Sequence, residues 1–354
     1  MTRYIFGQPR WGNPRTPIVI PSTKQGFFGA NIHIKYGNGE VNNPPVRNYP
    51  TNQTAQSYVN KALDLGIKWY RTNVSTAANI VNERPYFTLM RANGIEPFIV
   101  IDQGISLSNS YATNYSQGLA LGQAIGQAAA GYALYFETSN EQDYPCRSDE
   151  QGQTGYRSGL DGSQRTDFYQ PALNAFFGWN TGVADGLRQF IPDAKIGYAT
   201  GAGFGCYIVG EMWQKGLDTS GNVVRAPVQV DFQGVHWYWS MGDPRTATPN
   251  GGTTLNVMQE VWRRMGVPSF ITEWGSSPKD TSFIDATQAS QLSTRCATYW
   301  NNRVADHTAG AFFYGMFPNP EAADDPVSPN WGLVVTDGNT IKPSYTAFKN
   351  FIAS

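Results

Sequence analysis

Two glutamates stand where a carboxylate can do chemistry. Glu141 closes the segment Glu137-Thr-Ser-Asn140-Glu141, and Glu273 lies in Phe270-Ile-Thr-Glu273-Trp274-Gly275, an acid placed where an apolar run meets a glycine. A carboxyl group that keeps its proton is a general acid; one that has lost it is a nucleophile. Together, on opposite sides of one bond, they cleave a glycosidic linkage by double displacement. Either glutamate alone is as readily an ordinary loop acid, so the assignment depends on a fold that makes them face each other.

Strand-like and helix-like segments alternate along the chain. Strands are predicted over 26–34, 67–74, 95–102, 132–140, 195–200, 230–239, 267–275 and 310–317. Helices are predicted over 52–65, stopped by Gly66, about 78–93, stopped by Gly94, and about 112–130, stopped by Gly131. The rest fall at about 168–190, 207–215, 254–265, 286–305 and 344–353. Strands separated by helices pair in parallel through right-handed crossovers. Eight such units favour a closed (β/α)8 TIM barrel, with an open doubly wound sheet as the alternative. Residues 1–25 are expected to form an irregular N-terminal extension packed on a single barrel domain of residues 26–354. The longest loops follow strands (102–111, 141–166, 240–253 and 318–343), which places them on the C-terminal face of the barrel, where Glu141 and Glu273 end their strands.

Strand alternation puts Glu137, Ser139 and Glu141 on one face, the inward one. A carboxylate inside a barrel needs a partner. Arg71, in Trp69-Tyr70-Arg71-Thr72-Asn73, supplies a charge of the right sign, and its parity with Asn73 lets both face inward. Arg71 could pair with Glu137, with Glu273, or with both.

Asn140-Glu141 after the fourth strand and Thr272-Glu273-Trp274-Gly275 on the seventh resemble the marks of the clan A barrel glycosidases. The run Glu137-x-x-Asn140-Glu141, His236-x-Tyr238 on strand six, Trp331-Gly-Leu and Lys342-Pro-Ser-Tyr345 are most similar to family 39 and its family 5 relatives. Phe136 keeps the family's aromatic residue before the first glutamate, while Gln142 replaces its proline. The resemblance implies a retaining glycoside hydrolase acting on a β-linked oligo- or polysaccharide, with Glu141 as acid/base and Glu273 as nucleophile. It also implies that Arg71 lies beside Glu273 and holds it ionised, that Tyr238 donates a hydrogen bond to Glu273, and that Asn140 contacts the sugar 2-hydroxyl. His236 would shape the sugar-binding floor, with a satisfied core histidine as its alternative, and His33 would reach a glycone hydroxyl or serve structure alone. Trp274 and Trp331 are expected to be stacking platforms for sugar rings.

Composition narrows the partners. With 26 basic and 27 acidic residues in 354, the net charge of -1 leaves no electrostatic footprint for nucleic acid or an anionic membrane. Cys146, Cys206 and Cys296 match no metal or disulfide framework and allow one bridge at most. Only three histidines occur, His33, His236 and His307, with no His-x-His pair, so a metal-dependent barrel hydrolase is disfavoured and no metal is expected. Thr200-Gly-Ala-Gly-Phe-Gly205 has neither dinucleotide spacing nor a P-loop lysine and reads as a tight turn; no cofactor is expected. A non-catalytic carbohydrate-binding barrel is the alternative that remains. The expected location is outside the cytoplasm, secreted or periplasmic, with a leader missing from the sequence as given; a cytoplasmic protein is the other possibility.

Overall fold

A computed structural model describes residues 16–32, 54–147, 160–201, 203–250, 252–275, 285–317, 332–334 and 339–354. The strands are β1 (Phe28–Asn31), β2 (Trp69–Val74), β3 (Glu96–Ile101), β4 (Tyr135–Asn140), β5 (Lys195–Thr200), β6 (Gln233–His236), β7 (Ser269–Trp274) and β8 (Thr308–Phe313). All neighbours pair in parallel, in sequence order, and β8 closes onto β1. The closed barrel thus replaces the open-sheet alternative.

The helices among the described residues are α1 (Lys24–Phe27), α2 (Ala55–Leu65), α3 (Ala77–Ala92), α4 (Tyr111–Ala129), α5 (Gln170–Phe190), α6 (Gly205–Lys215), α7 (Val257–Met265), α8 (Asp285–Asn302) and α9 (Pro343–Ala353). Their ends follow from side chains: Thr54, Thr76 and Ser110 each accept a backbone N–H at a helix start, and Gly66 ends α2 in the left-handed region at φ 76°. One expected strand is shorter than its apolar run. Residues 24–27 coil into the single turn α1, capped by the Thr23 hydroxyl, before β1 begins. None of the helices is long and apolar enough to cross a membrane.

Two features fix the barrel's shape. Its floor is an aromatic plug in which Phe98, Phe232, Phe270 and Phe312 pack with Trp69 and Tyr135; Ile18 lies against it, and Lys195 and Arg303 donate to the carbonyls of Thr16 and Pro21. On the outside, α4 and α5 meet backbone to backbone. Gly118, Gly122 and Gly126 on one helix face Gly178, Gly182 and Gly186 on the other, and a methyl group at Gly182 would stand 2.2 Å from the Tyr115 carbonyl oxygen.

Candidate active site

The site is assembled on the strand ends above the aromatic floor. In β4 the regular pleat breaks: Glu137 pairs with Gly197 but Asn140 with Ala199, so β4 spends one more residue than β5 over this stretch. Thr138 and Ser139 both point away from the barrel to Asn180 of α5. Glu137 and Asn140 both point in. The predicted inward face of Glu137, Ser139 and Glu141 is therefore corrected at Ser139, because a bulge shifts parity by one residue. Glu141 follows with φ 54°, an unusual conformation for a side chain with a Cβ, and its backbone N–H donates to the Ala199 carbonyl at 2.9 Å. Such conformations gather at functional sites.

Arg71 is the hub. Its Nε donates to Glu137 Oε2 at 2.7 Å, Nη1 to Glu273 Oε1 and to Asn31 Oδ1 at 2.8 Å each, and Nη2 to Asn140 Oδ1 at 2.9 Å. One guanidinium thus serves both carboxylates between which the sequence left it undecided. Room for Glu137 comes from Gly234 across the barrel, where a Cβ would stand 2.1 Å from Glu137 Oε1. Burial works against the charge on Arg71, but Glu137 and Glu273 more than offset it and push its pKa up.

Glu273 is held at both oxygens. Arg71 donates to Oε1, and the Tyr238 hydroxyl donates to Oε2 at 2.6 Å. Burial raises its pKa, yet the charges of His236 and Arg71 and the hydrogen bonds from Tyr238 and Arg71 outweigh burial and hold the carboxyl below its usual range. His236 Nδ1 lies 2.6 Å from Glu141 Oε1 and 3.5 Å from Glu273 Oε2. Burial disfavours its charged form, but Glu273 and Glu141 overcome that and raise its pKa. Glu141, Glu273 and His236 each bring one atom within 4.8 Å of the others. Carboxylate oxygens this close lie on the side of the roughly 5–5.5 Å separation used for retention rather than the roughly 6.5–9.5 Å that admits a water for inversion. The Glu141 side chain is 25% exposed and that of Glu273 9%, so an incoming molecule meets Glu141 first.

As a metal set, these three residues fit poorly. A cation on Glu273 would compete with a guanidinium 2.8 Å from one oxygen and a hydroxyl donor on the other.

Asn31 went unremarked in the sequence although it completes the Arg71 cage, its Nδ2 donating to the Thr272 carbonyl at 2.8 Å. Four residues of strand show too little alternation to mark it in the sequence. Trp274 is corrected: it is 1% exposed and packs edge-on against Tyr299, Phe313 and Phe348, on the side of β7 opposite Glu273. It is core, not a platform. His33 and Trp331 lie outside the described residues. The glycine run after β5 wraps a carboxyl group: the Gly201 N–H donates to Asp143 Oδ1 at 2.8 Å, and a Cβ on Gly205 would crowd Asp143 Oδ2. All three cysteines are buried and free.

No protein-family model matches the sequence, and no curated protein does. Solved structures share its architecture. A family 1 β-glucosidase from Thermotoga maritima superposes with TM-score 0.64 at 13% identity, covering 97% of this chain and 99% of that one. A β-glycosidase from Pyrococcus horikoshii gives TM-score 0.64 at 14% identity, over 96% of each chain. The AHE enzyme from Alicyclobacillus herbarius gives 0.63 at 14% identity, over 96% of this chain and 99% of that one. At such identities the likeness is one of fold, and it agrees with a single-domain TIM barrel.

Proposed function

We infer that the chain is a retaining glycoside hydrolase that cleaves β-linkages in an oligo- or polysaccharide. The observation that carries this is the opposition of Glu141 and Glu273, with carboxylate oxygens within 4.8 Å and only the second anchored by both a guanidinium and a phenol. The similarity of fold to β-glycosidases supports it. So does the motif resemblance to family 39 and its family 5 relatives, although one of the solved structures of like fold is a family 1 enzyme.

Glu273, kept ionised, attacks the anomeric carbon. Glu141, the more exposed acid, gives its proton to the departing glycosidic oxygen, and a glycosyl ester forms on Glu273. Glu141, now a carboxylate, takes a proton from water, which releases the sugar with its configuration retained. Arg71 and Tyr238 keep Glu273 oriented through both steps. Asn140, its Oδ1 fixed by Arg71, has an amide N–H to offer the 2-hydroxyl oxygen, a group whose hydrogen bonds strengthen in the transition state.

The test is trapping with a panel of 2-deoxy-2-fluoro-β-glycosides bearing a good leaving group. The expected result is a mass increase of one glycosyl unit on the peptide containing Glu273, abolished in Glu273→Gln. Labelling at another residue, or products of inverted configuration by proton NMR, would overturn the assignment. Saccharide binding without any label or turnover would mark a non-catalytic carbohydrate-binding barrel.

A further inference from the structure

Glu141 on β4 and Glu273 on β7 divide the barrel mouth into two arcs. Among the described residues, the arc through β8, β1, β2 and β3 carries a set of polar groups: beyond Asn31 and Arg71, the Asn73 amide donates to Asp102 Oδ2 at 3.0 Å, and both side chains are half-buried at the rim. Paired amide and carboxylate groups there suit the many hydroxyls of the sugar whose anomeric carbon is attacked. The other arc, through β5 and β6, ends in an aromatic ring of a different kind.

That ring is Trp239. It follows Tyr238, whose hydroxyl rests on Glu273, and the Trp239 backbone N–H donates to the Gly275 carbonyl at 2.9 Å, so its backbone is tied to the same rim of β7. Its neighbours Trp237 and Trp274 are 2% and 1% exposed, whereas Trp239 is only partly buried. The turn that carries it is locked: the Gly242 N–H donates to the Trp239 carbonyl, and the Gly242 carbonyl accepts from both Arg295 Nη2 at 2.7 Å and the Trp237 indole at 2.9 Å. Gly242 holds φ 75°, which a residue with a Cβ rarely adopts. Arg295, 6% exposed, stacks its guanidinium carbon 5.0 Å from the Trp239 ring centroid. The ring is thereby backed by a buried cation while the residue keeps part of its surface exposed.

We propose that Trp239, braced by Arg295, is the platform for the saccharide on the leaving-group side of the scissile bond, stacking against the C–H face of a pyranose ring. This rests on the hydrolase reading above. A rigid aromatic surface binds a sugar ring with little loss of side-chain freedom. Its place on the arc opposite Asn73 and Asp102 assigns it to the leaving sugar rather than to the one that becomes attached to Glu273.

The test compares two substrates of one glycone: a β-linked oligosaccharide, and the matching β-glycosyl fluoride, whose leaving group is too small to reach the ring. The ratio of kcat/KM on the oligosaccharide to that on the fluoride is expected to fall about 3- to 10-fold in Trp239→Ala and to recover in Trp239→Phe. An unchanged ratio overturns the platform, whether both substrates lose activity together or neither does. If the wild-type chain cleaves neither substrate class, the hydrolase reading fails instead. The platform is then judged by calorimetry with the same oligosaccharides, and equal affinity of wild type and Trp239→Ala overturns it.

Discussion

His236 meets Glu141 at 2.6 Å, Nδ1 to Oε1, while the same nitrogen lies 3.5 Å from Glu273. One imidazole therefore bridges both carboxylates of the proposed reaction.

Replacing His236 by Asn should move the basic limb of the pH–kcat/KM profile. In the wild type the His236 pKa is raised by Glu273 and Glu141. Asparagine does not titrate, so a limb set by that imidazole is expected to disappear or to move. An unchanged limb with lowered activity would mean that His236 only fills space.

Removing the hub charge should destabilise the fold in a pH-dependent way. Arg71→Met leaves Glu137 and Glu273 buried without their cation, a loss of roughly 3–5 kcal/mol. Glu273 has a depressed pKa in the folded wild type, so its stabilising contribution is present above the unfolded carboxylate pKa and disappears as pH falls through the folded one. The gap in denaturant stability between wild type and variant should thus be widest near neutral pH and narrow on acidification.

The order of elements was legible in the sequence because several helices stop at a glycine, as α2 does at Gly66, α6 at Gly216 and α7 at Gly266, and most strands are short and apolar. The two carboxylates were legible only as a pair: each alone reads as an ordinary loop acid, but a barrel sets the ends of strands four and seven facing each other. The orientation of Ser139 was not, since a single extra residue in β4 reverses parity and no composition cue marks it. Trp274 could have been placed correctly: it follows an inward Glu273, and the pleat sends the next side chain outward to the helices. Its place next to Glu273 in the sequence does not bring it to the mouth of the barrel. Asn31 was hidden by brevity, because a four-residue strand shows too little alternation to single out its amide.

The glycine seam between α4 and α5 also carries a sequence signal, two runs of glycine every fourth residue, and it should prove intolerant. Gly182→Ala places a methyl group 2.2 Å from the Tyr115 carbonyl and 2.7 Å from the Leu119 amide, so two helices must separate. A loss of about 1–3 kcal/mol is expected. Gly104→Ala, where nothing lies within 4 Å, should be nearly neutral. Equal melting temperatures for the two variants would contradict the close backbone contact.

Asp143 offers a stability change of opposite sign. Its carboxyl is buried beneath the glycine turn after β5 and pushed up to about 6, chiefly by burial and further by the Glu141 charge, against the opposing pull of the Gly201 N–H and Arg147. An acid whose pKa is raised on folding contributes stability that is full below its unfolded pKa of about 3.9 and is lost as pH rises through the folded value. Above pH 6 the buried group is ionised, and the fold is weaker by about 3 kcal/mol than with the proton kept, as two pKa units imply. Asp143→Asn keeps the Oδ1 acceptor for Gly201 but cannot ionise. Its stability relative to wild type should therefore improve steadily between pH 4 and pH 7, as measured by chemical denaturation at several pH values. A difference that stays flat across that range would show that the carboxyl titrates as if exposed, and that the turn around it opens to water.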